Sequence, residues 1–217
     1  RLRESSLLLV GAGGLGSPAA LYLAAAGVGR LGLADFDAVD FSNLHRQILH
    51  GTPDVGRPKL QSARDRLAAI NPEIRVVQVA KRVGDLELAT LVADADVVLD
   101  CTDNFRTRLL INAACVATRK PLVSGAAIRF EGQVAVFPNQ GTGPCYRCLY
   151  SDEDENFESC AGQGILAPVA GLIGAVLATA TIKAILPGGV TKVLALGRPA
   201  IAATITLGQA ITIEAEA

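Results

Sequence analysis

Short apolar runs alternate with longer stretches of helical spacing along most of the chain. Residues 7–10 are a continuous apolar run of strand length, closed by Gly11-Ala12-Gly13-Gly14-Leu15-Gly16. Residues 17–26 then read as a helix, with Ser17 and Pro18 at its start and Gly27 just past its end. A second strand is expected at 31–34, stopped by Asp35, and a second helix at 59–70, ending before Asn71-Pro72. Residues 74–79 have strand character, 85–93 suit a short helix, and 97–99 read as a buried strand running into Asp100. A helix at 104–118 and a strand at 122–125 complete this part. The alternation predicts an α/β fold, a Rossmann-like, mostly parallel sheet with helices on both faces.

After Gly125 the rhythm changes. Residues 133–136 look like a strand, and weaker signals at 193–196, 202–207 and 211–213 predict a C-terminal extension of mixed or antiparallel strands. Residues 151–158 hold five acidic side chains and read as a solvated loop. Residues 162–182 carry no charge, but Pro168, the many Ala and Gly, and the lack of aromatic anchors favour a core helix over a membrane span. The expected organisation is a single domain over 1–217, with a nucleotide-binding part at 1–126 and a second part at 127–217.

Composition narrows the function classes. Lys and Arg total 20 against 21 Asp and Glu, so no basic surplus exists to grip nucleic acid. With 50% hydrophobic and 19% charged residues the chain is not disordered, and its surface suits cover by another subunit. Five scattered Cys do not make a disulfide-stapled secreted domain. No signal peptide opens the chain, and a cytoplasmic setting is expected. Met is absent and the chain starts at Arg1, which reads as a trimmed sequence.

The candidate chemistry lies at the ends of the expected strands. Gly11, Gly13 and Gly16 fit G-x-G-x-x-G between a strand and a helix, where backbone N–H groups can approach phosphate. Asp35, ending the next strand, is placed to accept hydrogen bonds from ribose. These features indicate a nucleotide without choosing between NAD, FAD and ATP. Ser42-Asn43-Leu44-His45-Arg46-Gln47 adds an Asn, Arg and Gln cluster that a triphosphate needs, and Lys59, behind Pro58 at a helix start, can reach the same phosphates. Leu99-Asp100-Cys101-Thr102-Asp103-Asn104 runs a buried strand into two carboxylates and an amide. Asp103 is the carboxylate expected to face Mg²⁺, with Asp100 structural. Cys145-Tyr146-Arg147-Cys148 is half of a zinc site. Cys101 and Cys115 read as small buried apolar groups. Cys160 follows the acidic loop and precedes a helix, so it is either a reactive thiol or an inert one.

Taken in order, G-A-G-G-L-G, D-F-D, S-N-L-H-R-Q, V-G-R-P-K, C-T-D-N, S-G-A-A-I-R and C-Y-R-C over residues 7–186 resemble the bacterial ubiquitin-activating-enzyme-like adenylyltransferases. The resemblance implies ATP-dependent adenylation of the C-terminal glycine carboxylate of a small ubiquitin-like sulfur carrier ending in Gly-Gly. The products are an acyl-adenylate and pyrophosphate, for thiamine or molybdopterin-type cofactor biosynthesis. It implies that Gly14 lies in the loop contacting ATP and that Asp35 binds ribose. Asn43, Arg46 and Lys59 are implied to hold the phosphates, within a segment that also supplies Ser42, Leu44 and His45. Asp103 is implied to ligate Mg²⁺ and to be essential, with Asn104 beside it.

The same resemblance makes Cys145 and Cys148 the first pair of a structural Zn²⁺ site, and places carrier binding in the 127–217 part. Cys160 matches a position that forms a covalent link to the carrier in some members. A homodimer is implied, with a sulfurtransferase or cysteine desulfurase as a further partner. The family's second cysteine pair follows the first by about seventy residues, which from Cys145 reaches the chain's end, so those ligands are expected outside this sequence. Two other readings compete. An NAD(P)-dependent oxidoreductase explains the glycine loop and Asp35 but not Arg46, Lys59 or C-T-D-N. A non-catalytic carrier-docking module would bind carrier without releasing pyrophosphate.

Overall fold

The computed structural model describes residues 1–80, 85–141, 143–150, 164–186 and 194–196. In chain order the elements are β1 (Ser6–Val10), α1 (Gly16–Ala25), β2 (Arg30–Ala34), α2 (Lys59–Ile70), β3 (Arg75–Val79), α3 (Asp85–Ala93) and β4 (Val97–Asp100). There follow α4 (Phe105–Thr118), β5 (Leu122–Ile128), β6 (Glu131–Phe137), the one-turn helix α5 (Tyr146–Leu149), α6 (Ala167–Ile185) and β7 (Leu194–Leu196). The sheet has seven strands in the order β3-β2-β1-β4-β5-β6-β7. The first five are parallel, and β6 and β7 continue the sheet antiparallel. This is the Rossmann-like α/β architecture with an antiparallel extension that the pattern predicts.

Alternate strand residues divide between two cores, as the two-residue period of a strand requires. Leu7, Leu9, Leu31, Leu33, Leu99 and Val123 face α1, α2 and α6. Leu8, Val98, Leu122 and Phe137 face α3, α4 and Tyr146. Helix α6, whose one charge is Lys183 in its last turn, is long and apolar enough to cross a bilayer. Its Ala170, Ile173, Leu177 and Ala178 are instead buried in the first core. Helices α6 and α1 touch closely: a Cβ on Gly174 would sit 2.2 Å from Pro18 Cγ.

Three details depart from the sequence pattern. Strand β5 runs on to Ile128 instead of stopping at Gly125, because Gly125, Ala126 and Ala127 are recruited by pairing with β6. Small residues of weak strand propensity acquire strand structure from a neighbour. Helix α6 begins at Ala167, five residues later than the uncharged run. Residue Ile165 first bridges to Arg129, and Pro168 then sits in the opening turn. Helix α5 is too short for a periodic signal. Residues 151–158, Cys160 and the strands expected at 202–207 and 211–213 lie outside the described residues.

Candidate active site

Strand order reverses between β1 and β4, since β1 connects outward to β2 while the chain later returns to β4 on its other side. Open α/β sheets place ligands at such a point, outside the carboxyl ends of the strands. A cavity of about 640 Å³ lies there, lined by the glycine loop and by residues 101–104. The two segments touch. Gly11 has φ +96°, and a Cβ on it would sit 2.7 Å from the Cys101 carbonyl oxygen. Only glycine meets both demands.

Asp35 holds the loop as well as facing the cavity. Its Oδ2 accepts from Ala12 N–H at 2.8 Å and its Oδ1 from Asp37 N–H at 2.9 Å. Lys59 is the first residue of α2, with Pro58 just before it. Its Nζ donates to Asp37 Oδ2 at 2.9 Å, which keeps the ammonium at the cavity wall. Arg46 covers Gly14, whose added Cβ would lie 3.3 Å from Arg46 Cγ. The guanidinium is braced from behind: Nη2 donates to Asn43 Oδ1 at 2.7 Å, and Nη1 to His45 Nε2 at 3.4 Å. A carbonyl only accepts, so His45 Nδ1 donates to the Ser42 carbonyl at 2.9 Å and fixes the ring.

The other rim is the end of β4. Asp100 is fully buried. It accepts from Ser124 Oγ at 2.8 Å, from Thr102 Oγ1 at 2.7 Å and from Arg108 Nη1 at 3.2 Å. Arg108 Nη2 also donates to the Thr102 carbonyl. Asp100 is thus structural, and the network clamps the turn that presents Asp103. Asp103 is exposed, lines the cavity and enters no ion pair among the described residues. Asn104 lines the cavity and caps α4, its Oδ1 accepting from Thr107 N–H at 2.9 Å.

Of the residues singled out from sequence, Gly11, Gly13, Gly14, Asp35, Arg46, Lys59, Asp103 and Asn104 line this cavity. Gly16, Ser42, Asn43, Leu44 and His45 are not on its wall. Gly16 lets α1 start against Gly11, and Asn43 and His45 act by holding Arg46. Sequence reasoning assigned no role to Asp37, nor to the apolar wall of Val10, Leu88, Leu91 and Leu110. The D-F-D motif holds the signal for Asp37, whereas the leucines read as ordinary core. Gln47 is buried, lines the cavity, and has no partner for Oε1 among the described residues. A buried polar atom left open inside a cavity is where a ligand or water completes the hydrogen bonding.

The paired cysteines lie away from this crevice. Cys145 Sγ and Cys148 Sγ are 3.8 Å apart. Burial raises the Cys145 thiol, but hydrogen bonds from the Asn112 amide, Cys148 and two backbone N–H groups outweigh it, and the net shift is downward. Asn112 reaches both residues of the turn, donating to Cys145 Sγ at 3.7 Å and accepting from Tyr146 N–H at 3.0 Å. Cys101 and Cys115 are buried, as expected. Burial pushes the Cys115 thiol up to about 12 and the Cys101 thiol higher still, so both stay protonated. Cys160 lies outside the described residues.

Fold and site together define a Rossmann-like α/β protein with a phosphate-ready crevice at its switch point. Residues 1–209 match the ThiF family, and the chain belongs to that family. It is 53% identical over 182 residues to the molybdopterin-synthase adenylyltransferase of Escherichia coli, covering 84% of this chain and 73% of that protein. It is 49% identical over 183 residues to the sulfur carrier protein ThiS adenylyltransferase of the same organism, again covering 84% and 73%. The crystal structure of Escherichia coli MccB with ATP superposes with a TM-score of 0.77 at 25% identity. That match covers 89% of this chain, which spans 60% of the crystallised one.

Proposed function

We propose that this protein adenylates the C-terminal glycine carboxylate of a small ubiquitin-like sulfur carrier, using ATP and releasing pyrophosphate, in the biosynthesis of a thiamine or molybdopterin-type cofactor. The observation that carries this reading is the crevice itself. Glycine-loop amides, two held cations and an unpaired carboxylate surround one cavity in a chain about half identical to two adenylyltransferases of sulfur-carrier pathways. The ThiF match stands against the oxidoreductase reading, which also leaves Arg46 and Lys59 without a task.

The chemistry follows from charge. A carboxylate attacking the α-phosphorus of ATP is one anion approaching another, and the leaving pyrophosphate gathers further charge. Arg46 and Lys59 are held by Asn43 and Asp37 before ATP arrives, so they stabilise that charge without reorganising. Asp35 binds the ribose, and the apolar wall beside it accommodates the base. The incoming carboxylate is already ionised near neutral pH, so no general base is required. This agrees with the two histidines: His45 braces Arg46, and His50 is buried behind the loop.

Two metals suit the residues present. Asp103 would hold Mg²⁺ against the phosphate oxygens, in a site type that uses one or two carboxylates together with substrate phosphates. Bound there, the ion would neutralise phosphate charge. Cys145 and Cys148 would hold one side of a structural Zn²⁺. Tetrahedral zinc with Zn–S near 2.3 Å separates two thiolates by about 3.8 Å, which the Sγ separation here of 3.8 Å matches. No group of three metal-ligating side chains occurs among the described residues, so a tetrahedral ion here would need two ligands besides this pair.

The working assembly is a homodimer in the cytoplasm, which fits the low charge and the exposed Leu172 on α6, with Leu166 and Leu186 exposed at its two ends. Cys160 carries a covalent sulfur or acyl link to the carrier, and a sulfurtransferase or cysteine desulfurase supplies the sulfur. The test is ATP–pyrophosphate exchange by the purified protein with candidate carriers ending in Gly-Gly. Exchange with at least one carrier, and none without carrier, is expected. Absence of exchange with every carrier overturns the reading, and carrier binding without exchange makes the protein a docking module. Intact mass from the same incubations reads Cys160, where no adduct makes it a bystander.

A further inference from the structure

His50 is one of the two histidines in the chain and no step of the proposed reaction uses it. It is 7% exposed. Its Nε2 lies 3.3 Å from the Ala12 carbonyl oxygen, and its Nδ1 lies 2.8 Å from Ser62 Oγ. A carbonyl only accepts, so Nε2 carries a proton. That proton is present in both the neutral and the charged imidazole, which makes the contact to Ala12 independent of titration. Burial lowers the His50 pKa, opposed by the Ala12 hydrogen bond, and Lys59, Asp54 and Asp35 are the charged groups that act on it. With the neutral ring, Nδ1 accepts from the Ser62 hydroxyl, so the chain Ala12–His50–Ser62 is continuous.

We infer that His50 is a positioning residue for the phosphate-binding loop. It fixes the Ala12–Gly13 peptide so that the Gly13 N–H faces the nucleotide. The argument rests on peptide geometry. In a planar trans peptide the C=O of one residue and the N–H of the next point in opposite directions. The Ala12 C=O is drawn toward His50, behind the loop, so the Gly13 N–H is turned to the other side, where Gly13 lines the cavity. Asp35 holds the Ala12 N–H at the same time. Both polar backbone groups of Ala12 are therefore tied to side chains from other segments, and the loop does not have to be ordered by the ligand.

His50 also ties the loop to the cation that shares the site. Ser62 lies three residues after Lys59 on α2, one helical turn along the same face. The backbone N–H of His50 donates to the Gln47 carbonyl at 3.0 Å, next to Arg46. The imidazole thus sets the spacing between the glycine loop and the Lys59 helix, from a backbone position anchored beside Arg46. That spacing is what a triphosphate must fit, so the inference rests on the ATP-dependent reading above.

The test compares His50→Leu, His50→Gln and His50→Asn in the full-length protein. Leu keeps the volume and removes the donor. Gln places an amide N–H at about the reach of Nε2, whereas Asn stops at the Ser62 side. Equilibrium ATP binding, and KM for ATP and for carrier in pyrophosphate exchange, are measured for each. His50→Leu and His50→Asn are expected to weaken ATP about tenfold, with His50→Gln within about threefold of wild type, the size expected for one hydrogen bond to a buried carbonyl. KM for carrier is expected to stay unchanged. Unchanged ATP affinity in His50→Asn and His50→Leu overturns the inference. So does an equal loss in His50→Gln accompanied by a fall in melting temperature, since that is the signature of packing alone. If His50→Leu does not fold, His50→Asn decides. A wild-type protein that binds no ATP removes the functional reading and this inference together.

Discussion

Asp103→Ala is expected to abolish carrier-dependent pyrophosphate exchange, by about 100-fold or more, while leaving the melting temperature unchanged. Asp103 is exposed at the cavity rim and supports nothing else: it enters no ion pair among the described residues, and Asn104 beside it provides the cap of α4. Its loss therefore removes charge from the site without taking a partner from the fold. Asp103→Asn keeps size and polarity and is expected to fail equally, because an amide cannot neutralise or ligate as a carboxylate does. Exchange assays across Mg²⁺ concentrations separate the causes. Activity retained in Asp103→Asn at ordinary Mg²⁺ would move the metal role to another carboxylate, with Asp37 next in line on the cavity wall.

Arg108→Met is expected to cost about 3–5 kcal/mol of stability, read from urea unfolding. Both partners of this ion pair are buried, with 10% and 1% of the Arg108 and Asp100 side chains exposed. Replacing Arg108 leaves a buried carboxylate with Ser124 and Thr102 as its remaining partners among the described residues. The double variant Arg108→Met, Asp100→Asn removes the stranded charge and is expected to recover a large part of the loss. A cost below about 1 kcal/mol in the single variant would mean that water already compensates Asp100, contrary to its complete burial. The same network orders the Thr102–Asp103 turn, so Arg108→Met is also expected to lower exchange in the fraction that remains folded.

The parts of the site that the sequence discloses are those encoded within a few residues. The glycine loop, Asp35 at the end of β2, Lys59 behind Pro58 and the C-T-D-N turn each combine a local motif with an element boundary. The mostly parallel sheet then follows from alternation of strands and helices, whereas its strand order is seen only in the pairing. The parts that stay hidden are made by tertiary contact. Ser124 meets Asp100 across 24 positions and His50 meets Ala12 across 38, and neither pair has a spacing that could be read in advance. The apolar wall is hidden for another reason: Leu88, Leu91 and Leu110 have the periodicity of core residues, and only the cavity shows that they face it. The extension of β5 past Gly125, through Ala126, Ala127 and Ile128, is likewise imposed by β6.

The destination of the phosphorus atoms tests the account most directly. The purified protein is incubated with Mg²⁺, a Gly-Gly carrier and ATP labelled either at the α- or at the γ-phosphorus, and the carrier is isolated by denaturing chromatography. Attack by the carrier's carboxylate on the α-phosphorus puts the α label on the carrier and the γ label in pyrophosphate. Label on the carrier from γ-labelled ATP, or from neither, contradicts the account.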